Sequence, residues 1–114
     1  MNEKARELLV QAHLDGVPRL NEIQAKRLSD GRMGYCALGV LLDMQGLSYH
    51  AFSTYDIGSE SVKCPECEKS MPEWVLLCHL NNDPNSWSGG HSFDFLTTAR
   101  KYPVLERELK EGKQ

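Results

Sequence analysis

Tyr35-Cys36-Ala37-Leu38-Gly39-Val40-Leu41-Leu42-Asp43-Met44 holds the longest apolar run of the chain, Ala37 to Leu42. Ala37, Val40, Leu41 and Met44 recur at i, i+3, i+4 and i+7, and Leu38 and Leu42 add a second apolar side. That pattern predicts a helix through the centre of the fold, stopped by Gly46. The run is far shorter than the ~20 residues a bilayer span needs, so no membrane helix is expected.

Upstream, Ala5, Leu8, Leu9 and Ala12 keep the same spacing between Asn2 and Asp15, with Glu3, Lys4, Arg6, Glu7 and Gln11 at the other positions. An amphipathic helix ended by Gly16 and Pro18 is expected, with His13 on its polar face and without a role. Residues 19 to 34 are less regular: a short helix around Ile23 and Leu28, flanked by Glu22, Gln24, Lys26 and Arg27, leads to a Ser29-Asp30-Gly31 turn.

Downstream, Tyr49 to Val62 carries Tyr, Phe, Thr, Ile and Val punctuated by Ser and Gly, which reads as one short strand or a hairpin. Lys63-Cys64-Pro65-Glu66-Cys67-Glu68-Lys69 is a tight polar loop, and Pro72 opens a helix to about Asn81. Asn82 to Gly90 is a loop by composition. Ser92 is the expected N-cap of a helix with Phe93, Phe95, Leu96 and Ala99, and Pro103 ends it and starts another through Leu109. Residues 111 to 114 should fray. The fold class is therefore α+β, mainly α: four to five helices, a short strand or hairpin and a CxxC loop, in a single domain over 1–114.

The chain has 114 residues, 40% hydrophobic and 25% charged, an ordinary globular composition that excludes collagen-like and wholly disordered classes. Thirteen Lys and Arg against sixteen Asp and Glu give a net charge of −3 without blocks of either sign, so general attraction to phosphate backbones is not expected. The N-terminal Met-Asn-Glu-Lys-Ala-Arg-Glu lacks an apolar signal region, and a cytoplasmic location is the expectation. In a reducing compartment the four cysteines read as metal ligands ahead of disulfides.

Cys64 and Cys67 have the spacing that brings two sulfurs onto one ion, with Pro65 stiffening the turn and Lys63 and Lys69 favouring thiolate. They supply half of a tetrahedral zinc site. On a helix from Pro72 to Asn81, Leu76, Leu77 and Leu80 set the core face and Cys78 points nearly opposite, so Cys78 is the expected third ligand. His91, returned by the following loop, is the expected fourth; His50 rivals it, and His79 rivals Cys78. A redox pair or two free thiols is the competing reading of the CxxC. Four protein ligands leave no open position, which makes the expected Zn2+ structural. The deaminase arrangement, HxE followed by PCxxC, is absent.

Cys36 is the one candidate nucleophile, at the start of an apolar helix whose dipole would lower its pKa; packing at a helix start is the rival reading. Gly31-Arg32-Met33-Gly34 and Gly89-Gly90 match no phosphate-binding glycine motif. Trp87, in a Gly/Ser-rich loop, reads as a contact anchor or as a ring folded over the core.

The order of Gly34-Tyr35-Cys36-Ala37-Leu38-Gly39-Val40-Leu41-Leu42-Asp43, Met71-Pro72-Glu73-Trp74, Leu80-Asn81-Asn82-Asp83 and Ser92-Phe93 resembles a group of small phage and prophage proteins over residues 5 to 102. That group has a YCxLGVLxD helix, an LP-initiated helix, an LND turn and an SF helix; here Met71 stands before the proline. The resemblance implies an accessory protein that binds a host protein or ribonucleoprotein, such as a CRISPR-Cas or other defence complex, and brings no catalytic residues. The expected contact surface is Trp87 with its loop and the acidic Glu60, Glu66, Glu68 and Glu73, suited to a basic channel. The alternatives are a zinc-containing nucleic-acid-binding regulator using Lys26, Arg27, Arg32, Arg100 and Lys101, and a Cys36 enzyme.

Overall fold

A computed structural model describes residues 1–20, 25–48 and 51–104. Its described elements are α1 (Glu3–Leu14), β1 (Ala25–Arg27), β2 (Met33–Tyr35), α2 (Ala37–Leu41), β3 (Ser61–Lys63), β4 (Ser70–Pro72), α3 (Glu73–Asn81) and α4 (Phe95–Lys101). Two separate antiparallel hairpins, β1–β2 and β3–β4, accompany the four helices, which gives the expected α+β class with helix dominant. No described helix is long and apolar enough to cross a membrane.

The first helix forms where the periodicity places it. Asn2 caps it, its side-chain oxygen accepting from Ala5 N–H at 3.1 Å, and Ala5, Leu9 and Ala12 are buried. Asp94 takes the cap of α4 in place of Ser92, accepting from Thr97 N–H at 2.7 Å. Ser92 lies outside that helix with φ 58° and bonds Asp83 instead.

The central apolar run is shorter as a helix than its spacing suggests. Ala37 to Leu41 are all buried, but the chain then tightens into a 3-10 turn, Asp43–Gln45, which closes on left-handed Gly46. Met44 is consequently 39% exposed rather than part of the core stripe. Residues 25–35 also differ from expectation: Ala25–Arg27 is a strand, pairing Lys26 with Gly34 around the Ser29-Asp30-Gly31 turn. The rest of the expected helix, at 21–24, lies outside the described residues, as do the parts of the chain on which a helix through Leu109 and fraying at 111–114 are expected. Between 51 and 62, a 3-10 turn over Ala51–Tyr55 replaces most of the expected strand, which begins only at Ser61.

α3 is the buried axis. Glu73 and every residue from Leu76 to Asn81 are buried, packed with Leu9, Leu38, Leu41 and Phe95. Asn81 is satisfied on all sides: its Oδ1 accepts from Ala37 N–H at 2.8 Å, its Nδ2 donates to Phe93 O at 2.8 Å, and its carbonyl accepts from Arg19 at 2.7 Å. One buried amide thus ties the start of α2 and the chain before α4 to the end of α3.

Candidate metal centre

The β3–β4 hairpin supplies two sulfurs. Cys64 N–H donates to Lys69 O and Glu68 N–H to Cys64 O, both at 2.9 Å, and Glu68 takes the left-handed φ of 65° that the tight turn needs. Inside the turn, Cys64 Sγ accepts from Glu66 N–H at 3.4 Å, and the Lys69 backbone N–H bonds Cys67 Sγ. Amide donors converging on sulfur favour the thiolate that a metal requires.

Two imidazoles face those sulfurs. His79, in the last turn of α3, places Nε2 at 3.3 Å from Cys67 Sγ, and His91, in the segment returning from the 82–90 loop, places Nε2 at 3.5 Å from Cys64 Sγ. The rings meet edge-on with centroids 4.7 Å apart. Ligand atoms of Cys64, Cys67, His79 and His91 all lie within 4.8 Å of one another, so the four could hold a metal ion.

His79 is oriented from behind. Its Nδ1 is 3.0 Å from Ser88 O and 2.9 Å from Gly89 O. Both partners are carbonyls, so Nδ1 carries the proton and Nε2 presents its lone pair to the cluster. This backing bond is the usual way a protein fixes the tautomer of a metal-binding histidine.

The two thiols differ in environment. The Lys69 amide, donating to its sulfur, lowers the exposed Cys67 to about 6. Burial raises Cys64 above its ordinary value. A cavity of about 320 Å³ opens onto Cys67, His79 and His91, with Lys69, Met71, Pro84 and Gly90 also in its lining. An ion therefore has a path in from solvent.

Cys64, Cys67 and His91 come together as the sequence suggests, but Cys78 does not join them. It is 1% exposed in the core, where burial and the nearby Cys36 raise its thiol well above the ordinary range. α3 has no outer face at its C-terminal half: every position from Leu76 to Asn81 is buried, so the side opposite the leucines, where Cys78 lies, is core too. His79 takes the ligand position instead. It follows Cys67 by 12 positions, and His91 follows it by the same interval. His79 and His91 are thus too far apart for the short His-x3–5-His spacing that marks a zinc-binding pair in a sequence, so no local signal singles them out. His50 lies outside the described residues, and His13 stands 3.9 Å from Asp94.

Cys36 is buried and caps α2, its Sγ accepting from Gly39 N–H at 3.4 Å. Burial raises its pKa, the reverse of the activation a nucleophile needs. Of the expected acidic surface, Glu60, Glu66 and Glu68 are exposed, whereas Glu73 is 0% exposed and accepts from Gly58 N–H at 3.1 Å. Glu73 therefore belongs to the core and leaves the proposed surface. Trp87 is 58% exposed, its ring 6.0 Å from Trp74, which in turn stacks 6.1 Å from Phe52. The basic residues divide between the β1–β2 hairpin (Lys26, Arg27, Arg32) and the end of α4 (Arg100, Lys101), with Arg32 paired to Asp30 and Lys101 to Glu66.

Comparisons with known protein families, with curated proteins and with solved structures return no match.

Proposed function

We propose that this chain is a zinc-stabilised binding module, in which a Cys2His2 centre of Cys64, Cys67, His79 and His91 clamps the 82–90 loop to the β3–β4 hairpin. The observation that carries the reading is the convergence of two thiols and two imidazoles on one point. Two soft thiolates with two imidazoles in a tetrahedron suit zinc among the abundant divalent ions. With Zn–S near 2.3 Å and Zn–N near 2.05 Å, a tetrahedron requires S···N separations of about 3.5 Å. Of the four S···N separations in such a centre, Cys67–His79 at 3.3 Å and Cys64–His91 at 3.5 Å are close to that value, and all the ligand atoms lie within 4.8 Å of one another.

Four protein donors fill a tetrahedron and leave no position for water or substrate, so the role is structural. Function then rests with the surface that the centre organises. Trp87 on the clamped loop is its anchor, backed by Trp74, and Glu60, Glu66 and Glu68 supply an acidic margin on and beside the hairpin. A macromolecular partner with a basic contact face fits that margin. The resemblance of Gly34–Asp43 to phage accessory proteins supports a host protein or ribonucleoprotein, including a defence complex, as that partner.

Native mass spectrometry of the purified chain, before and after a strong chelator, tests the zinc. One zinc per chain, lost with native charge-state compactness, is the expected result. A compact chain without metal, whose Cys64 and Cys67 cycle between thiol and disulfide, would replace this reading with redox chemistry.

A further inference from the structure

The second histidine of the centre is delivered by a backbone contact that only glycine permits. Gly89 turns the chain with φ 56°. Gly90 then slides across the end of α3 so closely that an added Cβ would lie 1.9 Å from Asn82 O, 2.7 Å from Asn82 C and 2.8 Å from His79 O. All three are backbone atoms, so no rotamer change relieves the overlap. Immediately beyond, His91 N–H donates to His79 O at 3.1 Å, Ser92 N–H to Asn82 O at 3.0 Å and Phe93 N–H to Leu80 O at 3.0 Å. These bonds satisfy carbonyls that the end of a helix otherwise leaves without intrahelical partners. They also set the height of His91 against α3, and hence the position of its Nε2 beside Cys64 Sγ.

We infer that Gly90 is a positioning residue of the metal centre, whose missing side chain lets residues 91–93 dock on the end of α3 and bring His91 to the other three ligands. The inference rests on the zinc reading above and adds what that reading lacks, the reason a histidine on a loop can complete a tetrahedron. An alanine at this position holds the segment away from α3, breaks the bond from His91 N–H to His79 O and withdraws one of the four donors.

Cobalt(II) reports the donor set through its visible absorption, and zinc competition gives the affinity. The test compares the intact chain with Gly90→Ala, His91→Ala and the double variant, with Gly31→Ala as control: Gly31 carries the backbone strain of a φ of 88°, which Gly90 does not, but an added Cβ there meets nothing within 4 Å, so the control separates a glycine loss without overlap from the overlap at Gly90. The expected result is that Gly90→Ala weakens zinc binding by about 10–100-fold, the range for loss of support around a metal ligand. Its cobalt spectrum should match that of His91→Ala, the double variant should lose little more, and Gly31→Ala should bind as the intact chain does.

Unchanged affinity and cobalt spectrum in Gly90→Ala would overturn the inference while leaving the zinc reading intact. So would a Gly90→Ala chain that fails to fold while His91→Ala folds normally, because the glycine would then serve the fold alone. An intact chain that takes up neither cobalt nor zinc would overturn both readings.

Discussion

Cys67 Sγ and His79 Nε2 stand 3.3 Å apart, which brings the turn of the β3–β4 hairpin against the last turn of the buried helix that follows it. His79 is 5% exposed and its other nitrogen is held by the loop, so the contact joins three parts of the chain: the β3–β4 turn, α3 and residues 88–89.

Cys67 and Cys78 should behave oppositely on substitution. Cys67→Ser removes a donor and should abolish stoichiometric zinc retention against a moderate chelator. Cys78→Ala should retain zinc fully and lower stability by about 1 kcal/mol, the scale of a methyl-sized gap in a packed core. Metal content and urea midpoint, measured on the same samples, separate the two effects.

Trp87 should report metal occupancy. The Nδ1 bonds of His79 to Ser88 O and Gly89 O connect the centre to the loop that carries Trp87. In a Trp74→Phe chain, where Trp87 is the remaining tryptophan, chelation should raise its quenching by acrylamide as the loop is released. A quenching constant unchanged on chelation would show that the loop is held without metal.

Acid should release the metal, and the two thiols set different parts of the curve. Cys64, raised above its ordinary value, is protonated in the metal-free chain at neutral pH and must lose a proton on binding. It makes affinity fall by about tenfold per pH unit on acidification throughout the neutral range. Cys67, lowered to about 6, is already thiolate at neutral pH and adds a second proton only below that value. From the thiols alone, the slope of log Kd against pH should therefore steepen from about one to about two on going below pH 6, which chelator competition at several pH values measures.

The start of α3 was legible because Pro72, with φ −58°, is preorganised for the entry of a helix and unsuited to its interior, and α1 because single-sided periodicity acts locally, within one turn. The CxxC turn was legible for the same reason: its geometry is closed by its own backbone bonds. His79 was hidden because α3 is buried over its whole C-terminal half, so the spacing of Leu76, Leu77 and Leu80 no longer marks one inward face. The β1–β2 hairpin was hidden because Lys26 and Arg27 are both exposed and give no inside–outside alternation. Glu73 was misjudged as surface because charge alone does not reveal that the Gly58 N–H awaits its carboxylate.

Zinc should contribute to stability by mass action. With free zinc at 100 times Kd, the folded state should gain about 2.7 kcal/mol over the chelated chain, read from paired urea unfolding curves. An identical midpoint with and without zinc would mean that the ion binds folded and unfolded chains alike.

The ligand set itself is tested most directly by X-ray absorption at the zinc edge of the loaded protein. Two sulfurs at about 2.3 Å and two nitrogens at about 2.05 Å, with the nitrogen shell reduced by one in His79→Ala, are the predicted result. Three sulfurs, or a spectrum that His79→Ala leaves unchanged, would contradict the assignment of Cys64, Cys67, His79 and His91 and return Cys78 to the centre.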